Sequence, residues 1–277
     1  MAKLLRQGAI MPITHGVEIK AISDEAFYSL DYKIMGLAFA IQQEFGRFWN
    51  ETIYQNELAH RCQKAGVANV ATEVPIGVSY NDFSTFYYVD LLVDNAVVYE
   101  LKAVKTLSSE HRKQALNYLF LLGMQRAKLI NMQPASVEHR FVSTRITSEK
   151  RYAFVIDDAE WQNGDEDSIW LKQLMTNFVK EWGVFLGINL FYEAINYFRG
   201  GEEKVIKKIE INHGSNKLGT QKVHMLNPDI AFKISSITKG ETYYEQDLRQ
   251  FIRVASLKAL QWINFNHHRI VFKTIFP

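Results

Sequence analysis

Glu100-Leu101-Lys102 closes an apolar run, Val97-Val98-Tyr99, and an acid, Asp90, lies a short turn upstream. Side chains alternate between the faces of a strand, so Glu100 and Lys102 point to the same side. Asp90, from the neighbouring strand, brings a second carboxylate to the same point. Two carboxylates and an amine are the set that Mg²⁺-dependent phosphodiester hydrolysis needs: hard oxygen ligands for the ion and a cation beside the attacking water. The alternative is an exposed sheet face with ordinary charges. Against it, Val97, Val98, Leu101 and Val104 make the strand apolar. Such a strand tolerates charge poorly unless the charge is paired or metal-bound.

The elements that must hold these groups can be read from periodicity. Apolar residues recur at Phe27, Leu30, Ile34, Leu37, Ala38 and Ile41, which predicts an amphipathic helix over 24–45, capped by Ser23-Asp24 and ended by Gly46. A second helix is expected over 50–65, with Ile53, Leu58 and Cys62 inward and Gly66 as its stop. Strands follow over 72–78, 86–93 and 97–104, linked by Tyr80-Asn81-Asp82-Phe83 and by Asp94-Asn95, a hairpin signal. A helix over 109–123, capped by Ser108 or Ser109, and a strand over 128–132 complete the order α-α-β-β-β-α-β. The acid-rich stretch 157–169 lacks the residue spacing of an EF-hand Ca²⁺ loop and reads as a solvated linker.

Composition bounds the rest. The 277 residues are 47% hydrophobic, enough for one large domain or two small ones, and the net charge is only +2. Nucleic-acid contact would therefore come from a local patch and not from a global field. Cys62 is the only cysteine, which excludes an intramolecular disulfide and a cysteine metal cluster. Met1-Ala2-Lys3-Leu4-Leu5-Arg6 does not lead into a long apolar core, and the run 34–41 is too short to span a bilayer. The expectation is a soluble cytoplasmic protein without membrane contact.

The last third of the chain echoes the first. Trp262-Ile263-Asn264-Phe265 follows Leu129-Ile130-Asn131-Met132 by 133 positions, and at the same offset Ala231 to Ser235 falls on Val98 to Lys102. The helix expected over 244–254 falls on 111–121. One gapped residue further up, Val223-His224-Met225-Leu226 matches Val89-Asp90-Leu91-Leu92. This predicts a duplicated fold, with a first domain over 1–155, the acidic linker over 156–170 and a second copy over 171–277.

The order α-β-β-β-α-β with D…ExK resembles the core of the PD-(D/E)XK nuclease superfamily and, more narrowly, its GxxExxY family. The matching text is Glu51-Thr52-Ile53-Tyr54, Val89-Asp90-Leu91-Leu92-Val93 and Tyr99-Glu100-Leu101-Lys102-Ala103-Val104, then Leu107, His111, Gln114, Asn117-Tyr118-Leu119 and Leu129-Ile130-Asn131. One departure is the spacer Arg47-Phe48-Trp49-Asn50 between Gly46 and Glu51, longer than the two residues in the family name. The resemblance implies an α/β (α+β) fold with a restriction-endonuclease-like αβββαβ core, and a nuclease activity dependent on Mg²⁺, with Mn²⁺ as substitute. It implies that Asp90, Glu100 and the Leu101 carbonyl hold the metal, with Glu51 completing the shell. Lys102 would position or help deprotonate the attacking water, and Gln114 would orient it or a ligand.

His111, Arg112, Lys113, Arg126 and Lys128 are candidate phosphate contacts on DNA or RNA, or else a capping residue and a solvated face. Tyr54 reads as a core aromatic. At the matching positions the second copy has Ile188, His224, Lys233, Ser235 and Asp247, so it is expected to bind no divalent ion. It would serve as a built-in partner in a monomeric pseudo-dimer, or as a surface for nucleic acid through Lys204, Lys207, Lys208, Lys217 and Lys222; a homodimer is the other assembly considered. His267-His268 reads as a surface turn. The runner-up to a nuclease is a catalytically silent nucleic-acid-binding or assembly protein on the same fold.

Overall fold

The structure, a computed structural model, describes residues 11–214 and 216–277. The Met1 to Arg6 stretch lies outside the described residues. The chain divides into two units, Met1–Ser148 and Glu149–Pro277.

Unit 1 contains β1 (Ile13–His15), α1 (Asp24–Phe45), α2 (Glu51–Lys64), β2 (Val70–Tyr80), β3 (Phe83–Val93), β4 (Val97–Lys102), α3 (Ser109–Leu122), β5 (Arg126–Asn131) and β6 (Glu138–Ser143). Its strands form one mixed sheet in the order β1-β2-β3-β4-β5-β6. Only β4 and β5 run parallel, with α3 as their crossover, and Lys102 lies opposite Asn131. The remaining pairs are antiparallel. Asp94 and Asn95 both take positive φ, near 51° and 53°, in the β3–β4 hairpin, as the Asp/Asn preference of tight hairpin turns requires.

The expected helix and strand order is present. The edge strands β1 and β6 were outside it, because neither carries a long alternating pattern. Phe27, Ile34, Met35, Ala38 and Ile41 of α1 and Tyr54, Leu58, Ala59 and Cys62 of α2 pack on Leu91, Val93, Tyr99, Leu101 and Ile130. Ile53 departs from expectation: it is exposed, and Tyr54 and Gln55 turn inward instead. Because Tyr99 and Leu101 face that core, the period-two pleat sends Glu100 and Lys102 to the opposite face.

Unit 2 begins within the helical turn α4 (Ser148–Arg151). It contains β7 (Val155–Glu160), α5 (Glu166–Trp182), α6 (Ile188–Phe198), α7 (Glu202–Val205), β8 (Ile206–His213), β9 (Asn216–His224), β10 (Ile230–Ser235), α8 (Glu241–Val254), β11 (Ala259–Asn266) and β12 (Arg269–Ile275). One sheet runs β10-β11-β12-β7, and β8-β9 form a hairpin.

The acidic stretch is not a linker. Residues 155–160 pair with β12 as a sheet strand. Asp157 pairs with Arg269, Asp158 with Lys172 and Glu160 with Lys273. Asp165 caps α5 by accepting from the Ser168 N–H at 3.0 Å. Partnered acids can lie on an edge strand, which charge composition alone does not reveal. No described helix is long and apolar enough to cross a membrane.

Candidate active site

The site is built around β4. Glu100 is fully buried and Lys102 nearly so, so both must find partners within the fold. The Lys102 Nζ donates to Glu100 Oε1 at 2.9 Å, to Glu51 Oε1 at 3.1 Å and to the Leu101 carbonyl at 2.6 Å. It lies 3.5 Å from Asp90 Oδ2. Asp90 Oδ2 also accepts from the Leu101 N–H at 2.8 Å, which ties β3 to β4 where the charges meet. Glu51 is the first residue of α2, and its side chain, 37% exposed, is the open side of the cluster. Four of the residues expected to act together therefore converge.

Electrostatics follow from this crowding. Burial and then the Asp90 charge push Glu100 up to about 8, although Lys102 opposes the shift. Burial likewise raises Asp90 to about 6 against the pull of Lys102 and the Leu101 N–H, with Glu51 and Glu73 adding to the rise. For Lys102, burial disfavours the charge, but Glu100, Asp90 and Glu51 together outweigh it and hold the ammonium above its usual range. Glu100 Oε2 is buried and has no hydrogen-bond partner. An orphaned carboxylate oxygen beside two further acids suits a divalent cation. The described residues present no group of three or more His, Cys, Asp or Glu side chains already spaced as a metal shell. The ammonium sits among the carboxylates instead.

Three contributors had no role in the sequence reading, Tyr118 among them although it stands in the motif text. Gln55, one turn beyond Glu51 on α2, donates at 2.7 Å to both the Asp90 carbonyl and Glu73 Oε1. Glu73 lies opposite Asp90, between the pairs Thr72–Leu91 and Val74–Val89, and takes φ near 51°, unusual for a non-glycine strand residue. Tyr118 on α3 is raised to about 12 by burial and then by the Glu100 charge. The i, i+4 spacing from Glu51 to Gln55 and from Gln114 to Tyr118 was the available signal.

The remaining candidates are not drawn into the carboxylate cluster. Gln114 is exposed and donates to the Tyr118 hydroxyl at 3.0 Å. His111 completes a capping box, its Nδ1 accepting from the Ser108 N–H at 3.1 Å. Arg112 and Lys113 are exposed on α3, and Lys113 pairs with Glu110. Arg126 lies at the far end of β5, pairing with Asp24 and stacking on Phe27. Lys128 is not on a phosphate-binding rim: it is buried and paired with Asp31 at 2.5 Å. Tyr54 is a core residue whose hydroxyl donates to the Gly46 carbonyl.

Residues 28–142 match the family model of the PD-(D/E)XK nuclease superfamily. The matched segment carries all four converging residues, and members of this superfamily are usually nucleases that use Mg²⁺ or Mn²⁺. The crystal structure of SSO0001 aligns over 47% of this chain and 70% of its own, at 18% identity and a TM-score of 0.26. No curated protein matches the chain.

Proposed function

We propose that unit 1 is a metal-dependent nuclease of the GxxExxY type that hydrolyses phosphodiester bonds of DNA or RNA. The observation that carries this reading is the convergence of Glu51, Asp90, Glu100 and Lys102 beside the unpartnered Glu100 Oε2. Glu51, Asp90, Glu100 and the Leu101 carbonyl would hold Mg²⁺ or Mn²⁺, which when bound supplies Lewis-acid stabilisation and a more acidic water. The carboxylates favour the charged form of Lys102, so it would act as a donor, orienting the attacking water and stabilising negative charge growing on the phosphoryl oxygens. Gln55 positions Asp90 through its backbone carbonyl. Tyr118 lies within electrostatic reach of Glu100, and Gln114 donates to the Tyr118 hydroxyl.

The test is cleavage of single- and double-stranded DNA and RNA with Mg²⁺ or Mn²⁺, comparing wild type with Asp90→Asn and Lys102→Ala. Metal-dependent cleavage that both substitutions abolish is expected. Cleavage surviving both would remove this site from the mechanism. Metal binding by calorimetry with no cleavage of any substrate would favour a silent binding protein.

We further propose that unit 2 is a degenerate second copy, acting as a built-in partner. Two internal registers support this. Lys102–Asn131 and Asn131–Glu138 in unit 1 have counterparts 133 positions later in Ser235–Asn264 and Asn264–Val271. Asn131 exchanges hydrogen bonds with the Val104 backbone, and Asn264 does the same with Ile237. At the position matching Leu101, the Ile234 N–H donates to the Tyr192 hydroxyl at 2.8 Å, where unit 1 uses Asp90. Lys233 and Ser235 replace Glu100 and Lys102, so a divalent ion would lack its ligands. Full-length protein should bind one equivalent of Mn²⁺ by calorimetry; two equivalents would overturn this view of unit 2.

A further inference from the structure

The spacer that departs from the family pattern takes no part in the cluster, yet it leads directly into Glu51. It carries Arg47, Phe48 and Trp49. Phe48 is 84% exposed and Trp49 is 50% exposed. Isolated exposed apolar residues are ordinary, but these two are adjacent and their loop is held from beneath. The Trp49 N–H donates to the Tyr54 hydroxyl at 3.2 Å, that hydroxyl donates to the Gly46 carbonyl at 2.8 Å, and the indole N–H donates to the Phe45 carbonyl at 2.7 Å. Tyr54 is itself fully buried. The Arg47 guanidinium lies 5.3 Å from the centroid of the Phe48 ring. The fold thus presents two rings and a cation outward on a fixed frame, so binding to them orders little that is not already ordered.

Their position is set from two sides. Trp49 precedes Glu51 by two residues, which span at most about 7 Å. From α1, the Gln42 Nε2 donates to the carbonyls of Met132 and Pro134, just beyond Asn131, the register partner of Lys102. The loop therefore sits at the same end of β4 and β5 as the carboxylates.

Exposed aromatic faces with a guanidinium beside them match the chemistry of single-stranded nucleic acid, whose bases offer free π-faces. A duplex keeps those faces stacked internally. We propose that Phe48 and Trp49 form a stacking platform for unpaired bases, with Arg47 meeting a phosphate, so that the next phosphodiester reaches Glu51, Asp90, Glu100 and Lys102. This rests on the nuclease reading and assigns its substrate class: single-stranded nucleic acid or an unpaired end.

The test is fluorescence anisotropy of a short labelled single strand and of its duplex, titrated with full-length protein in EDTA so that no cleavage occurs. Phe48→Ala and Trp49→Ala are each expected to weaken single-strand binding roughly 5- to 150-fold, the equivalent of about 1–3 kcal/mol of base–aromatic stacking. Duplex binding should not change, and Phe48→Tyr should bind as wild type. Trp161, Trp182 and Trp262 are buried and Trp170 is half-buried with the Arg199 guanidinium over its ring; Trp49→Phe isolates the share of Trp49 in the quenching by the strand and should remove most of it. Wild-type single-strand affinity in both alanine variants, equal losses on duplex, or no single-strand binding by wild type would overturn the platform. The two readings fail separately. If Asp90→Asn abolishes cleavage while Phe48→Ala binds normally, the platform falls and the nuclease stands. If stacking is seen without cleavage under any metal, the platform stands and the nuclease falls.

Discussion

Replacing Lys102 by Met keeps most of the side-chain volume and removes the ammonium that three carboxylates share. Removing one partner of a buried ion pair costs about 3–5 kcal/mol, because the other is left uncompensated. Two features of the site lower that figure. The Glu51 side chain is 37% exposed, so water screens its share to a few tenths of a kcal/mol. Glu100, already raised to about 8, can shed its charge by taking a proton. The expected loss without metal is therefore about 2–4 kcal/mol at pH 8. The pH dependence follows from the direction of the shifts. Asp90 and Glu100 are raised in the fold, so their contribution is greatest below their ordinary values of 3.8 and 4.5 and is lost as pH rises through about 6 and about 8. Lys102 is also raised, so its contribution persists up to its ordinary value of 10.5 and is lost only above it. Metal-free wild type should lose stability from about pH 4 to pH 8. The variant should fall more steeply, so its deficit should be smaller near pH 4, where Asp90 and Glu100 are neutral, than at pH 8. Urea unfolding in EDTA at the two pH values measures this. Equal midpoints at pH 8 would refute the charge argument, and an equal deficit at both pH values would assign the loss to packing.

Lys128→Met should destabilise by about 3–5 kcal/mol, because it strands Asp31 in the core; adding Asp31→Leu should recover most of the loss, as denaturant midpoints would show. Cys62 is fully buried, and burial pushes its thiol up to about 11. It should therefore ignore a thiol reagent in the native protein and react stoichiometrically after unfolding, and rapid native labelling would contradict its place between α2 and the sheet. Asn131→Ala should cost about 1–3 kcal/mol by leaving the Val104 N–H and carbonyl without their partner, again read from denaturant midpoints.

Elements were legible where local chemistry and tertiary packing agree. Helix α1 has a long apolar stripe and a marked end on each side: Ser23 accepts from the Ala26 N–H at 3.2 Å, and Gly46 closes the helix. The β3–β4 hairpin announces itself through Asp94-Asn95. The acidic stretch misled because its charges are neutralised by Arg269, Lys172 and Lys273, residues remote in sequence. A run of acids looks solvated until its partners are placed.

The same distinction divides the site. Asp90, Glu100 and Lys102 could be found from the strand pattern, because period two and one hairpin settle which faces they share. Glu51 is far from them in sequence, and only the motif text connected it. Gln55 looks like an ordinary polar helix residue, yet it is buried where α2 crosses the strands, and burial obliges its amide to find Asp90 and Glu73. Thr72-Glu73-Val74 reads as plain strand, and nothing local announces the positive φ at Glu73. Apolar strands carrying isolated charges thus reveal that a site exists, since burial demands compensation. Which side chains compensate depends on segments brought together only by folding, so those partners must be read from the structure.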